Sequence, residues 1–288
     1  MKDQKKAIIY ALIACIVWGT VYVAIKVGLD HGLKPISFAG LRFLAGGLIL
    51  LAFAAAMGRF RFSLKDLWLL ALLGILQTAL QNALFFKGVQ LTNAGISAIF
   101  INTAPFFVIL LAPLFFHGSR ITTARVLGAA IGFGGVYLAS YRPGILKGDY
   151  ELGILLLVSS AITWAFSNIA AKKIMQTRDA LTVTGMQMLL GSIPLIAAGA
   201  AMEGKFLSEV DPIGCVSLIY LIVFATSIPF LAWYKALKLG EVGQVSIFGF
   251  TLPILGVVSG WLLLGEPMNG HILAGMVMVA FGIIIVNI

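Results

Sequence analysis

Residues 86–105 read FKGVQLTNAGISAIFINTAP and residues 234–253 read YKALKLGEVGQVSIFGFTLP, an ungapped pair with seven of twenty positions identical. The matches include Lys87 with Lys235, Gly95 with Gly243, Ile99-Phe100 with Ile247-Phe248, Thr103 with Thr251 and Pro105 with Pro253. Two copies of one unit 148 positions apart mark an internal duplication. Shorter echoes carry it through the chain. Trp18 and Lys26 keep the spacing of Trp164 and Lys172, SFAGLRFLAG at 37–46 matches TVTGMQMLLG at 182–191, and Gly128 and Gly135 match Gly275 and Gly282. In this register Arg42 aligns with Gln187 and Tyr22 with Asn168.

Composition fixes the solvent. With 60% hydrophobic and 11% charged residues and a mean hydropathy of +1.04, the 288-residue chain carries more apolar surface than a soluble core can hide. The net charge of +9 is scattered between apolar runs and forms no stripe, so a nucleic-acid partner is not expected and the lipid bilayer is. Cys15 and Cys215 form neither a pair pattern nor a ligand spacing, and read as lipid-facing or core thiols. No metal and no cofactor is expected.

Hydropathy gives ten runs near 7–28, 35–57, 66–86, 92–116, 123–141, 150–174, 180–201, 212–236, 241–264 and 270–287, each about the 20 residues that a spanning helix needs. The first run has no small-residue cleavage site after it and is expected to remain as a helix. RPGILKGD at 142–149 is the sizeable connector, and we divide the chain into repeats at 1–145 and 146–288. Placing both termini in the cytoplasm puts thirteen Lys and Arg inside and six outside, with Arg42 left within the membrane, as the positive-inside rule prefers. Five helices per copy force the second copy to enter upside down. The expected fold is therefore an all-α polytopic membrane protein of ten transmembrane helices in two inverted five-helix repeats, an arrangement that places a substrate site at the midplane between the repeats.

The Trp18-Gly19 pair, the two stretches ending at Pro105 and Pro253, and Leu264-Gly265-Glu266-Pro267 before the last helix make the chain resemble the EamA-type branch of the drug/metabolite transporter superfamily over essentially its whole length. The resemblance implies an inner-membrane carrier, usually exporting amino acids or other small metabolites. It also implies a cavity lined by helices one to four and six to nine, with the fifth and tenth peripheral. The first half departs from the pattern at His117-Gly118-Ser119, where the Gly-Glu of the second half is absent, so no essential role is assigned to Glu266.

Depth and helical phase select the site residues. Trp68, Trp233 and Trp261 lie toward helix ends, where interfacial belts place Trp, whereas Trp18 and Trp164 fall mid-helix with Tyr22 and Asn168 one turn on. These four read as cavity wall, or alternatively as interhelical packing. Gln77, Gln81 and Asn82 on the third helix, Asn102 on the fourth, and Gln187 on the seventh are polar at depths where amides must find partners. They serve either substrate or helix association. Arg42, about 10 Å past Pro35 at the helical rise, is a candidate for a substrate carboxylate, with snorkelling or an ion pair to Asp30 as the other readings. Pro105 and Pro253 free a carbonyl one turn back and read as gating elements or as simple kinks.

The function expected is secondary transport of small metabolites by alternating access, as exporter or facilitator; a channel, a structural membrane protein or an importer are the alternatives. HExxH, GxSxG and Walker-type motifs are absent, which argues against an enzyme. The eleven acids fall in termini, loops or outermost turns, so coupling through a buried carboxylate is not expected. Gly128-x-x-x-Gly132-Phe-Gly-Gly135 reads as a close-packing helix face, used within a monomer or in a homodimer.

Overall fold

The computed structural model of the chain describes residues 2–61, 63–115, 122–140, 149–204 and 210–286. Among them no strand occurs, and seven helices are long and apolar enough to cross a membrane. These are α1 Gln4–Asp30, α2 Pro35–Ala56, α3 Leu64–Leu91, α4 Ala94–Phe115, α6 Asp149–Met175, α7 Ala180–Glu203 and α8 Pro212–Leu239. Three further apolar helices complete the expected ten: α5 Thr123–Ser140, α9 at 242–264 and α10 Gly270–Val286. The connector at 142–148, the His117-Gly118-Ser119 stretch and Lys205 lie outside the described residues.

The bundle is interleaved. α1 packs against α8 and, in the matching position, α6 packs against α3; α2 pairs with α7, α4 with α9 and α5 with α10. In every one of these pairs one helix comes from the first five and one from the last five. Small residues permit the closest crossings, as expected where lipid gives helices no hydrophobic drive to associate. A Cβ on Gly135 would meet Gly275 O, and one on Gly282 would meet Gly128 O, so the glycine faces of α5 and α10 are spent on each other. That is the intramolecular use of the Gly128 motif.

Five of the spans are not regular helix throughout, and the irregular turns fall in matching places. α3 widens into a π-turn at Gly74–Leu80 and α8 into another at Val223–Ser227, the same position in the duplication register. α4 is interrupted at Asn102-Thr103, just before Pro105, and α9 tightens at Phe248–Phe250, just before Pro253. α1 breaks between Trp18 and Val21, whereas its counterpart α6 runs unbroken. Each of Pro105 and Pro253 thus follows an irregular turn. The π-turns are an addition that hydropathy did not foresee.

At the α3–α7 crossing Gly74 and Gly191 bring the two backbones together: a Cβ on Gly191 would fall on Gly74 O, and one on Gly74 would lie 2.6 Å from Gln187 O. Gly191→Ala should therefore lower stability in detergent by about 1–3 kcal/mol, the usual cost of overpacking, read as a fall in the thermal midpoint. Gly270→Ala, which meets nothing within 4 Å, is the control. Equal midpoints for the two variants would show that this crossing tolerates a side chain.

Candidate substrate cavity

The helix irregularities surround one cavity. Its wall is built by α1, α3, α4, α6, α8 and α9, with a single residue, Arg42, from α2, and the cavity volume is about 60 Å³. Among the described residues no Asp or Glu and no residue of α5, α7 or α10 lines it. Two chemically different ends follow from which residues face inward.

One end is aromatic. Trp18 and Trp164, equivalent in the duplication, meet edge to face with ring centroids 5.3 Å apart. Phe230 stands 5.1 Å from Trp18 and 6.2 Å from Trp164, and Trp233 stands 5.6 Å from Trp18. Edge-to-face rings of this kind satisfy the aromatic quadrupole and hold one another in place. Trp233 was expected in an interfacial belt. It is 2% exposed, because its indole N–H donates to Asn168 Oδ1 at 3.0 Å, a bond that a headgroup position would forfeit. Trp68 and Trp261 are more than half exposed on the outer surface, where belts belong.

The other end is polar. Asn102 donates from Nδ2 to the Tyr22 hydroxyl at 2.7 Å and to Ala98 O at 2.6 Å. Asn82 donates from its Nδ2 to Gln81 Oε1 at 2.8 Å and to Gln77 O at 2.9 Å, and Gln81 in turn donates to Ser160 on α6 at 3.0 Å. Arg42, 2% exposed, sits among these groups. Its Nε donates to Thr226 Oγ1 at 2.6 Å and one Nη to Ala225 O at 2.8 Å, while the guanidinium lies over Phe43 and Phe86 at 5.0 and 5.9 Å. Neither alternative reading of this residue holds. It does not snorkel, and Asp30 pairs with Lys26 at 3.6 Å.

The π-turns explain how these side chains are satisfied. A widened turn leaves carbonyls without their usual i+4 donors, and side chains take them up. In α8, Ala225 O receives Arg42 and Leu221 O receives the Thr226 hydroxyl at 2.7 Å; in α3, the equivalent carbonyl of Gln77 receives Asn82. The duplication extends to the partners. Thr78, equivalent to Thr226, donates at 2.7 Å to Oε1 of Gln187, the counterpart of Arg42. One hydrogen-bonded pair is thus used twice, with a cation in the first copy and a neutral amide in the second.

Of the residues singled out from sequence, Trp18, Tyr22, Arg42, Gln81, Asn82, Asn102, Pro105, Trp164 and Asn168 line the cavity. Gln187 does not: it faces α3 through Thr78. Gln77 is also outside the wall, buried with both amide atoms unpartnered among the described residues. Gln77 was selected as the i,i+4 partner of Gln81 and Gln187 as the repeat counterpart of Arg42, and neither criterion fixes which side of its helix faces the cavity. Pro253 sits behind the wall, beside Leu252. Sequence reasoning missed Phe230 and Ser246. Ser246 Oγ and Asn168 Nδ2 have no partner among the described residues although both side chains are buried in the cavity wall.

Comparison with known proteins gives the family. The model of the EamA-like transporter family matches residues 5–141 and again 151–288. A protein of Escherichia coli named as a probable amino-acid metabolite efflux pump is 31% identical over 98% of this chain and 95% of its own length. An Escherichia coli protein named as an inner membrane transporter is 28% identical over 94% of this chain and 85% of its own. A solved crystal structure with 18% identity superposes with a TM-score of 0.77, covering 98% of this chain and 96% of that one, and shows the same fold.

Because Thr226 serves a cation and Thr78 a neutral amide, their removal should not cost the same. Thr226→Val should destabilise by about 1.5–3 kcal/mol and Thr78→Val by about 0.5–1.5 kcal/mol, following the usual worth of charged and neutral hydrogen bonds. Thermal midpoints of the two purified variants measure this, and equal losses would remove the distinction drawn between the two copies.

Proposed function

The chain belongs to the EamA-like transporter family, and we propose from this premise that it carries small metabolites, amino acids or related compounds, out of the cell by alternating access around the cavity. It is a membrane transporter of small molecules with ten apolar helices in two inverted repeats, for which we take 1–145 and 146–288 as the units. The observation that carries the mechanism is the cavity itself, aromatic at one end and cationic at the other, between inverted halves. Such halves exchange roles when one rocks against the other. The substrate groups are those of the wall: Arg42 with Gln81, Asn82, Asn102 and Tyr22, and the box of Trp18, Trp164, Phe230 and Trp233 with Asn168.

We place both termini in the cytoplasm on the Lys and Arg count. In this orientation the cavity is closed at both ends by contacts between the two halves, and the two closures differ. On the cytoplasmic side Arg178 forks onto Asp66 at 2.6 and 2.7 Å and Arg59 pairs with Asp179, while Lys238, of the same half as Arg178, donates to Arg178 O at 3.1 Å. Burial raises the Asp179 carboxyl, but the Arg59 bond and the backbone N–H of Thr182 and Leu181 outweigh it and hold it below the usual carboxylate range, so this closure stays ionised at neutral pH. On the outer side two carboxylates cap helix starts of the opposite half. Glu203 accepts from Ile36 and Ser37 N–H at 2.9 and 2.8 Å, and Glu266 from Ala94 and Gly95 N–H at 2.7 and 2.8 Å. Negative charge at a helix N-terminus is favourable. Glu266 therefore has a structural role in closure. Pro105 and Pro253, each just past an irregular turn, are the bend points at which α4 and α9 yield.

The expected consequences are direct. In proteoliposomes an amino acid or organic acid from a broad panel should exchange by saturable counterflow without a pH gradient, since no acid lines the cavity. Absence of exchange for the whole panel would refute the carrier reading, and accumulation of a non-titrating substrate driven by a pH gradient alone would refute the coupling. Reporter fusions after Arg61, Lys147 and Lys205 should read inside, outside and outside. Asp66→Ala should speed modification of a cysteine at Ser246 from the cytoplasmic side, and Glu266→Ala that of a cysteine at Asn102 from the outside. The reverse pattern would show the orientation to be inverted.

A further inference from the structure

Resting on the reading of this cavity as the substrate site, the charge inventory of its wall narrows the substrate class. We infer that the site selects a carboxylate joined to an aromatic or bulky apolar body and lacking an ammonium group, such as a deaminated or N-acylated amino acid, in preference to the corresponding zwitterion.

Arg42 is the single formal charge on the wall among the described residues, and no carboxylate pairs with it. A guanidinium has five N–H donors. Thr226 and Ala225 take one on Nε and one on an Nη, which fixes the plane of the group and leaves Nη1 without a protein partner. The rings of Phe43 and Phe86 lie against it at 5.0 and 5.9 Å. A buried cation in this condition completes its shell with an anion, and the planar fork matches a carboxylate.

The aromatic end begins immediately beside this group. Phe43 lies 5.0 Å from the guanidinium carbon and 5.6 Å from Phe230, which in turn touches Trp18 and Trp164. A ligand whose carboxylate meets Arg42 therefore directs its body into the box. The donors left over among the described residues, Asn168 Nδ2 and Ser246 Oγ, belong to residues of the same wall and suit a carbonyl or a hydroxyl on that body once a side-chain rotation turns them to it.

An α-ammonium fits poorly. It lies one carbon from the carboxylate, hence next to the guanidinium, where like charges repel with little solvent to screen them. No carboxylate is present to hold it, and two amide oxygens nearby are already used, Gln81 Oε1 by Asn82 and Asn168 Oδ1 by Trp233. Asn82 and Asn102 have amide oxygens to spare, but a neutral acceptor does not neutralise a desolvated cation.

The probes are 3-phenylpropanoate, phenylalanine and phenethylamine, which share one aromatic body and differ only in charged groups. Binding to the purified protein is read by quenching of tryptophan fluorescence, since three of the five tryptophans line the cavity. Transport is read by counterflow in proteoliposomes. The expected order is 3-phenylpropanoate tighter than phenylalanine by at least about tenfold, with phenethylamine weakest. Arg42→Gln, which installs the residue of the second copy, should bring the first two to within about threefold of each other, and Arg42→Lys should keep the order. The wild-type order stands as a test even if a variant does not fold. Equal or tighter binding of phenylalanine or phenethylamine to the wild type would overturn the inference. Exchange of phenylalanine with none of 3-phenylpropanoate would do the same while leaving the carrier reading intact. No exchange and no quenching by any probe, together with no exchange across the broader panel, would take down both.

Discussion

The interior of a bilayer offers no water to a carbonyl that loses its helical partner, and the cost of leaving one bare is several kcal/mol. Each irregular turn in this chain must therefore be met by a side chain, and each is. Asn82 and Arg42 take the carbonyls of the two π-turns, Thr103 and Thr251 take Phe100 O and Phe248 O at the interruptions of α4 and α9, and Ser259 takes Gly19 O at the break in α1. The interruptions of α1, α4 and α9 border the cavity, and the π-turns of α3 and α8 lie just before its wall residues Gln81 and Phe230. The polar residues that a transporter needs at mid-depth are the same ones that let its helices depart from regularity there.

Duplication supplies the scaffold for this arrangement, and its imperfections supply the chemistry. Thr103 and Thr251 make the same bond in both copies, while Thr226 accepts from Arg42 and its counterpart Thr78 donates to Gln187, the same contact with the direction reversed. Where the copies diverge, the cavity becomes polar at one end only: Arg42 against Gln187, Tyr22 against Asn168, Phe85 against Trp233, Asn82 against Phe230. A perfectly repeated chain would enclose a site with two equal ends. This one distinguishes head from tail.

The architecture was legible because a repeat with a fixed offset, ten apolar runs and an odd number of helices per copy admit few folds. Mid-depth Trp and Asn residues pointed to the cavity for a related reason: at Trp18, Asn102 and Trp164 a costly position demanded an explanation. The sequence was silent where the answer depended on a neighbouring helix. Nothing in Gly74–Leu80 announces a π-turn, which needs Gly191 and Gln187 of α7 against it. Trp233 lies near a helix end and so resembled a belt residue; only Asn168, 65 positions away, turns it inward. Gln77 and Gln187 differ in the other direction: helical spacing and repeat symmetry singled them out, and the structure leaves both outside the cavity wall, Gln187 bonded to Thr78 of the neighbouring helix.

The interleaving of the ten helices also has a consequence in time. Arg42 is synthesised 184 residues before the threonine that receives it. At roughly 5–20 residues per second, that is an interval on the order of 10–40 s. Through it α2 is in the membrane with a guanidinium about 10 Å from its outer end and none of the acceptors that later bury it. The arrival of α8 supplies Thr226 and Ala225 O. The buried setting of Arg42 is thus complete only when the second copy has closed around it.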